Sequence, residues 1–265
     1  MMPSAGFDMS NIWLPLVGLA IGILVTMFGG GGGFFYVPIL TLFFHVPTQL
    51  AAATSLAATI PTVAVGTFEH YRRGNIHLQT GIIFGVAGLV GALAGSYLSA
   101  AISSGLLQKL FGAYAILLTI PMALTSRKRL KDGGKGEAGA PAMTRSKMLL
   151  SATFGILSGL MSGLFGTSGT ATIVAGLYIL GLPVTAVVGT SVLVVLFNAL
   201  SGFVGHVVVG QFDLRLFLLL GSGAVCGAFV GPRLLAKINV AMLEKVYGVL
   251  FTLLVIGFGA VMFFK

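Results

Sequence analysis

The most informative shortage in this sequence is charge. Only 8% of its 265 residues are charged, whereas about a quarter of the residues of a soluble domain are. So few charges cannot cover the surface of a water-soluble protein of this length. Apolar runs of about 18 residues or more are typical of membrane helices, and such runs fill most of the chain. The sequence therefore predicts an all-α, polytopic membrane protein.

Other absences exclude whole classes of function. Cys226 is the single cysteine, which excludes an internal disulfide and a multi-cysteine metal site. The chain has no GxxxxGK[ST] loop, so it carries no ATP motor of its own. We expect no metal and no cofactor. Residues 1–11 lack the Lys or Arg of a signal peptide, and we expect the apolar stretch from residue 12 to be the first membrane helix.

Acidic residues are scarce, and their positions bear on the substrate. None lies in the middle of an apolar run; the six are Asp8, Glu69, Asp132, Glu137, Asp213 and Glu244. A cation pathway through a membrane usually carries carboxylates within the bilayer. Their absence from the apolar runs favours an anionic or a neutral substrate.

The formal charge of +9 comes largely from one segment. Residues 125–147 contain seven of the fifteen Lys and Arg and few apolar side chains. Basic loops remain in the cytoplasm, so we interpret this segment as a cytoplasmic linker. No basic and aromatic residues alternate as in a nucleic-acid groove, which excludes nucleic acid as a partner. The chain then divides into membrane segments 1–124 and 148–265, joined by the linker 125–147.

The two membrane segments share an order of residues. Many residues of the second half are identical to the residue 136 positions earlier in the first half. Upstream of residue 170 the corresponding offset is 137. The matched residues include Pro47 and Pro183, Thr54-Ser55 and Thr190-Ser191, Gly66 and Gly202, and His70 and His206. Proline, hydroxyl and histidine residues in one register predict two homologous repeats. Duplicated membrane proteins are typically transporters with the substrate between the repeats.

Each repeat opens with an apolar stretch too long for one straight helix. Residues 12–42 would extend about 46 Å as a helix, against a bilayer core of about 30 Å. Glycines 29–33 interrupt this stretch, and residues 166–169 interrupt its counterpart. Each repeat is therefore predicted to contain a glycine-broken helix or re-entrant segment and about three transmembrane helices. A segment that turns back makes the repeats inverted, whereas one that crosses makes them parallel, and helix length favours the inverted arrangement.

The breaks are the main candidates for a substrate site. A helix that begins at a break directs its unpaired N–H groups and positive dipole end to the membrane centre, where an anion can bind. Close helix packing through small residues is the structural alternative. The predicted substrate-binding residues at the breaks are Gly30, Gly31, Gly32 and Gly33, and Gly166, Thr167, Ser168, Gly169 and Thr170.

Hydroxyl and amide residues at repeated positions extend the candidate site. Thr54 and Ser55 follow Pro47, as Thr190 and Ser191 follow Pro183. Hydroxyls in membrane helices often bond only to their own backbone, and this alternative remains open for both pairs. Asn198 lies on an otherwise apolar stretch, where an amide is costly to bury without a partner. We include all five in the predicted substrate site.

The matched histidines are candidates for proton coupling. His70 and His206 each follow a matched glycine by four residues. Histidine titrates near neutral pH and can carry a coupled proton. The alternative is a hydrogen-bonding role at the membrane interface.

Several motifs taken in order resemble a known family. They are the glycine-rich first break, Gly163-Leu164-Phe165-Gly166-Thr167-Ser168-Gly169, Val188-Gly189-Thr190-Ser191, and Gly202-Phe203-Val204-Gly205-His206. Together they resemble the sulfite exporter TauE/SafE family over about residues 12–264. The resemblance implies a secondary transporter in the bacterial inner membrane that moves sulfite or an organosulfur or carboxylate anion. Its expected partners are the small anion and the lipid bilayer, and a homo-oligomer is allowed.

Two other functions fit part of the pattern. Gly166-Thr167-Ser168-Gly169 matches the GxSG motif of rhomboid-like intramembrane serine proteases, with His206 as the base. The first repeat has Gly31 in place of Ser168 yet retains the histidine, which argues against a nucleophile and base pair. An anion channel is the nearer alternative, because it differs from a carrier only in opening to both sides at once.

Overall fold

The computed structural model describes residues 13–28, 33–117, 144–235 and 253–265. These residues form helices and no strands, which confirms the all-α prediction for the described part of the chain. In chain order the helices are α1 Leu14–Phe28, α2 Gly33–Phe43, α3 Thr48–Arg72, α4 Leu78–Ala101, α5 104–117, α6 Arg145–Phe165, α7 Thr170–Ile179, α8 Val184–Val208, α9 Leu214–Leu235 and α10 Leu253–Phe264.

Four of the described helices, α3, α4, α6 and α8, are long and apolar enough to cross a membrane. They contain 21 to 25 residues, or about 32–38 Å at 1.5 Å per residue. Helices α2 and α7 are much shorter, at 11 and 10 residues. Each short helix comes after one of the predicted breaks.

Helices α4, α6 and α8 run parallel and approach closely through glycine. Gly155 lies against Phe84, and Gly159 lies against Gly88. The partners on α4 advance as the residues on α6 advance, so the two helices point the same way. A Cβ at Gly159 would overlap the carbonyl oxygen of Gly88, so the close backbone contact requires glycine there.

Helices α1 and α9 form a second close pair. Gly18 lies against Leu220, and Gly22 lies against Ala224. These contacts also advance together along both helices, so α1 and α9 run parallel. Small residues again replace the side chains that would otherwise separate the backbones.

The long apolar stretch of the second half breaks where the sequence predicts. Helix α6 ends at Phe165 and α7 begins at Thr170. Three residues between them have left-handed backbone conformations, with φ of 69° at Gly166, 59° at Ser168 and 67° at Gly169. Three left-handed residues within four positions cannot continue an α-helix, so the chain changes direction here.

Helix α7 folds back along α6. Gly169, at the start of α7, lies against Ser158, and Gly176, farther along, lies against Phe154. The partners on α6 run backwards as α7 advances, so the two helices form an antiparallel hairpin. Helix α8 then starts near the level of the α4 start, since the backbone N–H of His77 donates to the Thr190 hydroxyl at 2.9 Å.

The predicted first break falls between α1, which is described to Phe28, and α2, which is described from Gly33. The predicted site residues Gly30, Gly31 and Gly32 lie outside the described residues, as does most of the basic linker.

Candidate functional site

The two helix breaks touch each other. Gly33, the first residue of α2, lies against the backbone of Gly166 and Thr167 in the second break. A Cβ at Gly33 would overlap the Gly166 carbonyl oxygen and the Thr167 Cα. The absence of a side chain is therefore what allows this contact. It brings the N-terminus of α2 to the segment that leads into α7.

Helix α3 holds the second break in place. The Ser55 hydroxyl donates to the Gly166 carbonyl oxygen at 2.9 Å, and Ala52 packs directly on Gly166. This carbonyl follows the last turn of α6, where backbone acceptors have no partner within the helix. Ser55 therefore satisfies a buried acceptor at the break and fixes its position.

Ser168 occupies a conformation that favours glycine. A left-handed backbone costs an ordinary L-residue roughly 1–2 kcal/mol, yet a serine with φ of 59° stands here between two residues of the break. Its hydroxyl donates to the Thr167 carbonyl oxygen at 2.6 Å. Both side chains are fully buried. The chain thus retains a hydroxyl at a position where glycine would be less strained.

Helix α7 presents its N-terminus at the same place. Its cap residue, Gly169, has no side chain to accept from the first N–H groups of the helix. Those N–H groups form the positive end of the helix dipole. The residues in contact here, Gly33, Gly166–Thr167 and the α3 residues Ala52 and Ser55 (the junction), are uncharged, so their local field comes from backbone dipoles and hydroxyls.

The remaining hydroxyls of the matched Thr-Ser pairs lie elsewhere. Thr54 donates to the Leu50 carbonyl oxygen at 2.8 Å and Ser191 donates to the Val188 carbonyl oxygen at 2.8 Å. Both bonds follow the backbone-bonding alternative. Thr190 accepts from a backbone N–H where α4 begins. Of the four residues, the described structure places Ser55 in contact with the second break.

Asn198 on α8 contacts the α6–α7 hairpin. It is fully buried, and its Nδ2 donates to the Ser158 hydroxyl at 3.2 Å. The backbone of Ser158 in turn packs on Gly169. The Asn198 Oδ1 atom is buried without a hydrogen-bond partner among the described residues. Asn198 thus contacts the second break indirectly, through its hydrogen bond to Ser158.

The two matched histidines have different surroundings. His206 is fully buried, with Nε2 2.8 Å from the Gly163 carbonyl oxygen and Nδ1 2.9 Å from Gln211 Oε1. The first bond ties α8 to the last turn of α6, just before the break. His70 is half-buried, and its Nδ1 lies 3.4 Å from Asn75 Nδ2.

The chain is similar to known membrane transporter proteins. A family model described as "Sulfite exporter TauE/SafE" matches residues 14–258. The chain belongs to the sulfite exporter TauE/SafE family. The "Probable membrane transporter protein YdhB" of Bacillus subtilis is 34% identical, and the match covers 82% of this chain and 87% of the relative. The "Probable membrane transporter protein YunE" of the same species is 27% identical, over 97% and 98%.

A third relative comes from a different organism. A "Probable membrane transporter protein" of Methanocaldococcus jannaschii is 28% identical, and the match covers 89% of this chain and 92% of the relative. No solved structure matches the chain. The family and these names make the TauE/SafE chain a multi-pass membrane transporter rather than an enzyme.

Sequence reasoning missed two residues of this TauE/SafE protein that lie at the second break. Ser162, one turn before the break on α6, is fully buried, and its hydroxyl has no hydrogen-bond partner among the described residues. Tyr114 on α5 places its ring against Phe165. Matching the repeats could not reveal Tyr114, because its counterpart at an offset of 136 is Leu250.

Proposed function

We propose that this TauE/SafE protein is a secondary transporter that exports a small anion, such as sulfite or an organosulfur or carboxylate anion, across the bacterial inner membrane. The observation that carries the proposal is the contact of Gly33 with Gly166 and Thr167. It brings the N-terminus of α2 to the buried segment that leads into α7. Helix N-termini bind anions through oriented N–H groups and the positive dipole end.

The chemistry of the junction suits an anion without a bound cation. Thr167, Ser168 and Thr170 supply hydroxyls in addition to the backbone. A hydrogen bond to a charged group contributes about 1.5–3 kcal/mol, so a few such bonds suffice for ordinary transport affinities of about −4 to −8 kcal/mol. The family description, sulfite exporter, supports an oxyanion as the substrate.

Burial of the junction favours a carrier over a channel. Thr167 and Ser168 are fully buried, so this conformation closes the proposed site to water. A carrier exposes a fixed site alternately to each side of the membrane by moving one repeat against the other. A channel requires a pathway that is open on both sides.

Equivalent contacts in the two halves support the proposed repeats. Gly155 and Phe84 are neighbours, and so are Gly18 and Leu220, whose numbers follow from the first pair by the offsets of 137 and 136. Helices α3 and α8, which those offsets also match, run antiparallel: Gly66 lies against Val192, whereas Gly202 lies against Leu56. Matched helices that point in opposite directions indicate inverted repeats.

The inverted arrangement predicts the membrane sidedness of the chain. Arg72 and Arg73 lie where α3 ends and Arg145 lies where α6 begins, and the parallel α4 and α6 bring these charges to one end. The positive-inside rule makes that end cytoplasmic. Single cysteines at Ser4 and Lys265 should therefore react with an impermeant maleimide from outside, whereas one at Lys135 should not.

The labelling needs a cysteine-free background, since Cys226 is exposed; Cys226→Ala provides it. Labelling of both terminal positions from the cytoplasmic side only would overturn the inverted arrangement and restore four parallel crossings in each half.

Transport by purified protein tests the function directly. Proteoliposomes loaded with sulfite should release it at a rate that saturates with sulfite concentration and responds to an imposed pH gradient. Ser168→Gly removes a hydroxyl from the break without adding strain, so flux at low sulfite should fall several-fold while thermal stability is retained or raised.

Other outcomes assign other functions. Fast flux that does not saturate would identify an anion channel, and absence of flux for sulfite, sulfate, thiosulfate, sulfoacetate and small carboxylates would refute the anion proposal.

The protease alternative has little geometric support, because Ser168 donates to the Thr167 carbonyl and His206 bonds to Gly163 and Gln211. Cleavage of a membrane-protein substrate that Ser168→Gly abolishes would establish it.

A further inference from the structure

We infer that Tyr114 is a substrate-binding residue that donates its phenolic hydrogen to the transported anion at the second helix break. The inference rests on the proposed function, since it assigns a new donor to the same site. It concerns a residue of the first half that reaches the break of the second half.

Aromatic stacking places the Tyr114 ring between the two breaks. The ring stacks on Phe34 at a centroid distance of 6.1 Å and on Phe165 at 5.0 Å. Phe34 follows Gly33 at the start of α2, and Phe165 ends α6. Phe111, one turn earlier on α5, contacts both phenylalanine rings, at 6.4 Å and 5.9 Å. Stacked rings at these distances hold a defined orientation.

This orientation carries the Tyr114 hydroxyl to the first turn of α7. The hydroxyl lies beside the side chains of Thr167, in the break, and Thr172, in the first turn of α7. The Tyr114 oxygen atom itself is buried, although the side chain as a whole is half-buried. Three hydroxyls from α5, the break and α7 therefore converge at the positive end of the α7 dipole.

The buried Tyr114 hydroxyl completes no hydrogen bond of good geometry to a described residue. Buried hydroxyls in proteins nearly always have a partner, and one in a membrane interior cannot turn to bulk water. A phenol is a good donor, and the neighbouring Thr167 hydroxyl is at the limit of hydrogen bonding to the Met161 carbonyl, at 3.5 Å. An acceptor with several oxygens, such as a small oxyanion, would satisfy these donors together.

The geometry separates the two roles of this residue. The ring fills space between Phe34 and Phe165, whereas the hydroxyl points to the α7 end of the junction. Tyr114→Phe keeps the ring and removes the donor. Tyr97→Phe is the matched control, because Tyr97 on α4 is 51% exposed, whereas the Tyr114 hydroxyl oxygen is buried.

The test is sulfite affinity of the purified, full-length protein by calorimetry, with thermal unfolding measured on the same samples. Tyr114→Phe should bind sulfite at least about tenfold more weakly, the loss typical of one hydrogen bond to a charged group. Tyr97→Phe should bind as the unsubstituted protein does. Equal affinity in Tyr114→Phe would overturn the inference.

A second variant keeps the test decisive if Tyr114→Phe does not purify as folded protein. Thr172→Val replaces a hydroxyl by a methyl of similar size next to the Tyr114 hydroxyl, and sulfite binding should weaken several-fold. Unchanged binding in Thr172→Val would then overturn the inference. If the unsubstituted protein bound none of sulfite, sulfate, thiosulfate and sulfoacetate, the proposed function itself would fail, which is a different result from equal binding by the variants.

Discussion

Gly33→Ala should weaken anion binding by tenfold or more and lower the stability of the protein. The added Cβ would overlap the Gly166 carbonyl oxygen and the Thr167 Cα, and backbone atoms cannot move aside as a flexible side chain can. Overpacking of this kind costs about 1–3 kcal/mol. Relief of the overlap separates the two breaks and pulls apart the donors of the proposed site. Sulfite affinity and thermal unfolding of the purified variant measure both effects.

Gly105→Ala is the matched control. Gly105 also lies in the first turn of a helix, α5, but it is exposed and a Cβ there would meet no atom within 4 Å. Alanine favours the helix over glycine by about 1 kcal/mol, so this variant should be at least as stable as the parent and bind sulfite equally. Native affinity in folded Gly33→Ala would show that the contact of the breaks serves packing alone.

His206→Ala should destabilise the protein far more than His70→Ala. Removal of the buried imidazole leaves the Gly163 carbonyl and the Gln211 side chain without their partner. The buried Gly163 carbonyl left unsatisfied costs about 1–3 kcal/mol, and the half-buried Gln211 side chain adds a smaller cost. His70 is half-buried with one long contact to Asn75, so its removal should cost under about 1 kcal/mol. Thermal unfolding in one detergent compares the pair.

His206→Gln separates proton coupling from this structural role. Glutamine can still donate to the Gly163 carbonyl but does not titrate. If His206 carries the coupled proton, the variant should fold and bind sulfite while its flux no longer responds to a pH gradient. An unchanged response would leave His206 with hydrogen bonding only.

For the alanine pair, equal destabilisation by His70→Ala and His206→Ala would contradict the effect expected from their difference in burial.

Local composition accounts for what could be predicted. A helix break depends on the conformational preferences of a few consecutive residues, so Gly166 and Gly169 indicated it without knowledge of any partner. The membrane environment likewise follows from composition, because a chain with 8% charged residues cannot cover itself in water. The order of the motifs was enough to indicate the TauE/SafE family.

The choice among similar hydroxyls could not be made from the sequence. Thr54 and Ser55 are neighbours with similar chemistry, but consecutive residues on a helix point about 100° apart. Ser55 faces the second break and bonds to Gly166, whereas Thr54 bonds to its own helix. Tyr114 was missed for a related reason: its hydroxyl meets Thr172 only because α5 packs across the junction.

The sequence by itself determined the membrane environment of this protein, the helix break between α6 and α7, and the family, since hydropathy and backbone preference act over short stretches of chain. Only the tertiary structure decided that Gly33 meets Gly166 and Thr167, and that α7 folds back along α6. The first contact joins residues more than a hundred positions apart, and the second joins residues of two different helices. Both contacts depend on the directions in which whole helices pack. A glycine in the sequence indicates that another backbone approaches closely, but it does not identify that backbone.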